Sequence, residues 1–146
     1  MPNWLYLAIN FLYQIGLAIW IGGSIVLGAL VAPALFKALP RPEAGAIFGP
    51  TLRRFSRLRV AAVMLIIVGA TSKYLGWERN ASSPWIAVRW LAIAFLAFSV
   101  VYEIGYLEPA LERNRGQAEA FARLHRRSEV LMKSTLVAAV VALLLS

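Results

Sequence analysis

The stretch from Trp4 to Leu39 carries no charged residue until Lys37. A soluble helix keeps one face for water, and this stretch has no such face. About 20 apolar residues in a helix cross a hydrocarbon core about 30 Å thick. The stretch therefore reads as a transmembrane helix with length to spare. At 1.5 Å per residue it would be roughly 54 Å long, so it must tilt, kink or project from the membrane.

The rest of the chain has the same character. Its 146 residues suit one domain; 60% of them are hydrophobic, and the mean hydropathy is +0.69. Both values lie outside the range of soluble domains. The formal charge is +8. Six of the fifteen Lys and Arg lie from Lys37 to Arg59 and six from Arg113 to Lys133. Both blocks flank apolar runs, so membrane topology and anionic lipid headgroups account for them, and no nucleic-acid partner is expected. There is no Cys, which removes disulfides, thiolate metal sites and thiol redox chemistry. The N-terminus lacks a basic n-region, so no signal peptide is expected.

Along the chain, Trp4, Tyr6 and Tyr13 suit an interfacial belt at the outer end of the first helix. Asn10, Gln14, Ala18 and Gly22 recur every four residues and form one stripe. Small residues permit close helix approach and amides hydrogen-bond across it, so the stripe is expected to face protein, either as interhelical glue or as a polar cavity lining. Pro33 is expected to bend the helix. Pro40-Arg41-Pro42 ends it. The segment from Glu43 to Arg59 reads as an amphipathic piece lying on the membrane surface, kinked at Gly49-Pro50, before a second span at about 58–77. Lys73 is placed to snorkel outward from that span. Ser83-Pro84 starts a third span, about 84–107, with Ser as N-cap and Pro at the first helical position. Arg89 reads as a snorkelling interfacial Arg, with a buried carboxylate partner as the alternative. Glu103 is a functional-site candidate because it lies within a span, and a basic loop residue can pair with it. Glu108-Pro109 marks a break. Residues 112–133 read as a projecting helix that continues into a short fourth span, about 130–145.

These readings give an all-α, polytopic four-helix bundle whose first and fourth helices extend beyond the membrane. Twelve of the fifteen basic residues lie in or near the first and third loops. The positive-inside rule then puts those loops in the cytoplasm and both termini outside, in the cell inner membrane. No internal repeat supports an inverted-repeat transporter.

His125 is the only histidine, and a lone His cannot form a multi-histidine metal site. It can serve as one axial haem ligand, or cap or pair within its own helix. No Ser/His/Asp set, acidic pair or phosphate-binding glycine loop stands in a usable context, so neither a catalytic residue nor a cofactor is assigned.

Two phrases carry a family resemblance: Ala18 to Phe55, and FARLHRRSEVLMKS from Phe121 to Ser134. Together they resemble a family of small four-span membrane proteins classed as a domain of unknown function. Its eukaryotic relatives include a transmembrane protein associated with cisplatin tolerance. The matching residues are Pro33, Phe36, Ala44, Gly45, Phe121, Leu124, His125 and Ser128. Relatives carry Asn near position 132, where Met132 stands here. The run Trp20 to Gly23 also resembles the first helix of copper-resistance membrane proteins and their haem-binding relatives. Those have a His about two turns earlier, where Tyr13 and Gln14 stand here, which argues against ligation by this helix.

Three functions compete. The resemblance implies a solute or metal tolerance or transport protein. The small residues of the first helix suit a non-catalytic accessory subunit, in a homo-oligomer or a larger membrane complex. A haem-dependent redox protein is the third.

Overall fold

The computed structural model describes residues 2–146, and nearly all of them are helical. Four helical rods run as α1 (Asn3–Ala38), α2 (Arg41–Glu78), α3 (Pro84–Arg113) and α4 (Ala118–Leu144). The first three are long and apolar enough to cross a membrane. This is an all-α helical bundle of a multi-pass membrane protein. Its surface fits lipid contact: Leu7, Phe11, Met64, Leu91, Val101 and Val137 are large, apolar and exposed.

The connections are short, which makes sequential helices antiparallel neighbours. Contacts confirm this for α1 and α2. As numbers rise along α1 they fall along α2: Asn10 faces Lys73, Tyr13 faces Gly69, Gly16 faces Ala62 and Ile66, and Gly23 faces Phe55. α1 packs most extensively on α2, and also on α4; α3 packs on α4 and more sparsely on α2. The four rods thus form a ring in chain order. Its centre is filled by Leu17, Trp20, Ile66, Leu96 and Ala139, all fully buried.

Two helical expectations need correction. The first is the segment after Pro42. It is not a separate surface piece; one helix runs from Arg41 through Pro50 into the second span. Ala44, Phe48 and Phe55 bury one face of it, and Phe48 and Phe55 pack against Leu27 of α1, so protein replaces the expected membrane surface. The second is the break at Glu108-Pro109, where the helix continues to Arg113. At Pro33 α1 likewise continues, to Ala38, in line with a first span drawn to position 39. Both prolines stand two residues beyond a π-helical turn, Val26–Val31 before Pro33 and Glu103–Leu107 before Pro109. Proline has no N–H, and its ring clashes with the carbonyl four residues back. A wider turn ahead of it absorbs that misfit, and the rod continues. Pro84 does occupy the first helical position, while the extended Ser83 makes no side-chain cap.

The stripe of Asn10, Gln14, Ala18 and Gly22 does not face the bundle as expected. Gln14, Ala18 and Gly22 are exposed, and Asn10 is half-buried. The inner face of α1 is Tyr13, Gly16, Leu17, Trp20, Ser24 and Leu27. Close approach occurs there. A Cβ on Gly69 would lie 2.8 Å from the Tyr13 backbone N, and one on Gly16 would lie 2.7 Å from the Ala62 carbonyl oxygen. Nothing lies within reach of a Cβ on Gly22. Gly69→Ala and Gly16→Ala are therefore expected to cost about 1–3 kcal/mol each by overpacking, read as lower melting temperatures in detergent. Gly22→Ala should melt at or slightly above wild type, because Ala is the better helix former. A wild-type melt for Gly69→Ala would contradict the backbone contact.

Candidate functional site

Charges inside the bundle fall into two clusters, one at each end of the α2–α3 seam. Lys73 and Arg59 are fourteen residues apart on α2, as are Arg89 and Glu103 on α3, which is about 21 Å of helix in each case. The clusters therefore fit within one hydrocarbon thickness.

At the first end, Arg89 is buried and makes two bonds to Glu78: Nη1 donates to Oε1 at 3.1 Å, and Nη2 pairs with Oε2. Arg89 Nη1 also donates to the Leu145 carbonyl at 3.4 Å, which ties α3 to the end of α4. Arg89 is thus the buried carboxylate partner, not a snorkelling Arg. Lys73 does not snorkel either. Only 5% of its side chain is exposed; Nζ donates to Asn10 Oδ1 at 3.3 Å and lies 3.7 Å from Glu78 Oε1. The Tyr6 ring centroid is 5.6 Å from that ammonium, within cation–π range. Tyr6 is held edge-on by Trp77, with centroids 5.1 Å apart. Nearby, Tyr13 OH donates to the Ala142 carbonyl at 2.6 Å and joins α1 to α4. The cluster holds two cations against one carboxylate.

At the second end, Arg59 Nη2 donates to Glu103 Oε2 at 2.5 Å and to Ser56 Oγ at 3.0 Å. The guanidinium lies over the rings of Trp20 and Phe55, at 5.3 and 5.1 Å. Arg59 is 1% exposed, so this is a buried ion pair between two aromatic faces. Arg59 Nε and, on α1, Trp20 Nε1 and Ser24 Oγ are buried without a protein partner, as is Arg89 Nε in the first cluster.

Both carboxylates stand in π-helical turns: Glu78 ends the one over Tyr74–Glu78, and Glu103 begins the one over Glu103–Leu107. The wider turn changes where a side chain points relative to a regular helix. It turns both carboxylates to the seam.

Of the residues singled out in the sequence, Asn10, Arg89 and Glu103 enter these clusters. Gln14 does not. His125 is exposed on α4, with its ring stacked on Phe121 one turn earlier at 6.3 Å. Ser128 is half-buried on the same helix. Phe36 meets Phe48 edge-on at 6.0 Å, and Leu124 lines a groove beside Tyr106. Pro33 is exposed, Ala44 is buried, and Gly45 has open space around its Cα. No group of three or more metal-ligating side chains converges among the described residues. Arg59, Lys73 and Glu78 emerge only from the fold. Lys73 is the first charge after thirteen uncharged residues and Glu78 follows five residues on, which is the signal that marks them.

Helix length and buried charge define a small multi-pass helical membrane protein. The model of a family described as a domain of unknown function, DUF4149, matches residues 15–120, and the chain belongs to that family. The match contains Pro33, Phe36, Ala44 and Gly45 and both ion pairs, and it ends just before Phe121, Leu124, His125 and Ser128. No curated protein and no solved structure matches the chain.

Breaking a buried pair by removing one partner leaves an uncompensated charge, at a cost of about 3–5 kcal/mol. Glu103→Gln is expected to lower the melting temperature strongly. Glu129→Gln removes only an exposed pair with Lys133 and should melt like wild type. Equal melts for the two variants would show that the Arg59–Glu103 bond contributes nothing.

Proposed function

We propose that this protein handles a small anionic solute at the membrane, as a tolerance or transport protein, with Lys73 at the centre of its site. The observation that carries the reading is the surplus positive charge of the Lys73–Glu78–Arg89 cluster. An ionisable group within a membrane span is costly and marks solute or ion paths. Arg89 has a two-bond carboxylate partner. Lys73 has a neutral amide, an aromatic ring and a share of Glu78 at 3.7 Å. It is the cation best placed to take an anionic partner. The resemblance to the cisplatin-tolerance relative supports the tolerance or transport role and carries nothing about the charge of the solute. Metal as cargo draws less support: the chain has no Cys, and no metal-ligating group of three converges among the described residues.

In liposomes, the wild type is expected to carry chloride or inorganic phosphate faster than empty vesicles do. Lys73→Met should lose most of that rate yet stay folded with a melt lowered only mildly, because Glu78 still pairs with Arg89 and only the half-buried Asn10 amide loses its donor. Rates equal to those of empty vesicles for both anions would overturn the proposal.

A second reading, an accessory subunit or homo-oligomer, is favoured by the outward stripe of Gln14, Ala18 and Gly22. An amide facing lipid lacks a partner, and small residues allow a second helix to approach. Cross-linking of Gln14→Cys in mild detergent would support it, and a uniform monomer mass would remove it.

The proposed topology is four spans with both termini outside, in the cell inner membrane. The apolar part of α4 is short, yet Thr135, Ala139 and Ala142 are buried in the bundle. The basic residues from Lys37 to Arg57 and from Arg113 to Arg127 gather at the end of the ring that holds the first and third connections. Since the chain has no Cys, Asn80→Cys and Arg115→Cys give clean probes. Labelling from outside is expected at position 80 and not at 115; the reverse would invert the topology.

A further inference from the structure

The basic end of the bundle contains a groove between α3 and α4 that neither buried cluster uses. Its volume is about 480 Å³. One part is lined by Arg123, Arg126 and Arg127, and the other by Val130, Leu131 and Tyr102. A second recess of about 280 Å³ shares Arg123 and Arg127 and adds Tyr106 and Asn114. All three arginines are exposed, and none forms an ion pair among the described residues. This sets them apart from Arg53, Arg59, Arg89 and Arg115, each of which has a carboxylate.

The groove is graded along the helix axis. Arg123 and Arg127 are one turn apart on one face of α4. Val130, Leu131 and then exposed Val137 follow in the direction of the apolar span. Opposite them, Phe98, Tyr102 and Tyr106 form a stacked ladder on α3, with centroids 6.0 and 5.3 Å apart. Three cations above an apolar and aromatic wall match a molecule with an anionic head and hydrocarbon tails. Guanidinium forks suit phosphate oxygens in particular. Basic pockets beside membrane helices bind anionic headgroups by this chemistry.

We infer that the α3–α4 groove is a binding site for one anionic phospholipid, its phosphate held by Arg123, Arg126 and Arg127 and its acyl chains laid against Tyr102, Val130 and Leu131. The apolar wall decides for a lipid over free phosphate, since a free ion leaves that wall unused.

The test is thermal melting of the purified full chain in neutral detergent, titrated with phosphatidylglycerol, phosphatidylcholine or inorganic phosphate. A ligand that binds only the folded state raises the melting temperature by mass action. Phosphatidylglycerol should stabilise the wild type, and the other two should not. Arg123→Gln with Arg127→Gln should keep the lipid-free melting temperature, because neither arginine has an internal ion pair. Its apparent affinity for phosphatidylglycerol should fall about 25-fold, at about fivefold for each charge. Arg54→Gln with Arg57→Gln removes the same charge from exposed positions on α2 that do not line the groove, and should keep the affinity within about threefold, because salt screens charges that make no direct contact. Equal losses in the two double variants would mean diffuse attraction to the basic surface and would overturn the site. Equal stabilisation by phosphatidylcholine would reduce it to a greasy groove, and equal stabilisation by inorganic phosphate would make it an ion site; either result overturns the inference. Should the first double variant melt low without lipid, Arg126→Gln alone gives the same reading, with a loss of about fivefold expected and an unchanged affinity contradicting the site.

Discussion

The seam between α2 and α3 is the most sparsely packed of the four in the ring, and an ion pair closes it at each end. The polarity alternates. α2 contributes Arg59 and Glu78, while α3 contributes Glu103 and Arg89. Sliding one helix by a turn, about 5.4 Å, would break both pairs at once and leave four charges in an apolar interior. Apolar packing between helices in lipid has no such penalty, because hydrocarbon solvates a slipped Leu as well as a packed one. The pairs thus specify register where packing specifies little. Their contribution to net stability is smaller than their geometry implies, since burying each ion costs several kcal/mol before any attraction is gained.

The π-helical turns belong to the same design. Two of them precede prolines, and two carry the paired carboxylates; the turn from Glu103 to Leu107 does both. In α3 one local widening both accommodates Pro109 and aims Glu103 at Arg59. α1 uses the same device at Pro33 without a charge, so the widening follows the proline and the carboxylate exploits it. At Glu78 there is no proline. There the widened turn ends the helix, and the short connection brings Glu78 back onto Arg89.

The membrane character and the helix content were legible in the sequence because apolar length is a one-dimensional property. Trp4 to Leu39 can be read without knowing its neighbours. The orientation of each helix was not legible, for a physical reason. In a soluble helix the inner face is the apolar face; here both faces are apolar, so polarity is a poor guide. Asn10 and Gln14 differ by one turn, yet Asn10 meets Lys73 and Gln14 faces outward. The face that does pack carries Tyr13, Leu17 and Trp20, large residues set against Gly69 and Ile66, and their spacing follows the 3.6-residue turn more closely than a strict repeat of four. Lys73 and Arg89 misled for a related reason. Each stands near a helix end, where snorkelling is the cheap solution, and a carboxylate just before the connection made a cheaper one.

Comparison of the two charged clusters shows where further chemistry can reside. Arg59 is matched one to one by Glu103, bonded again by Ser56, and covered by Trp20 and Phe55. Moving Arg59 would forfeit all of these contacts. Arg89 and Glu78 pair through two bonds, and Leu145 fixes the guanidinium further, which leaves only Arg89 Nε without a protein partner. Lys73 has contacts of 3.3 and 3.7 Å, longer than a charge-assisted hydrogen bond of about 2.7–2.9 Å. The ammonium has three rotatable donors on a flexible stem, and a compact point charge of this kind changes partners more readily than a planar fork. Charge balance singles out the same residue, because removing Lys73 leaves both ends of the bundle neutral. A buried charge that the fold does not need for its own neutrality is available to a ligand, and Lys73 is the one group of the five that meets that condition.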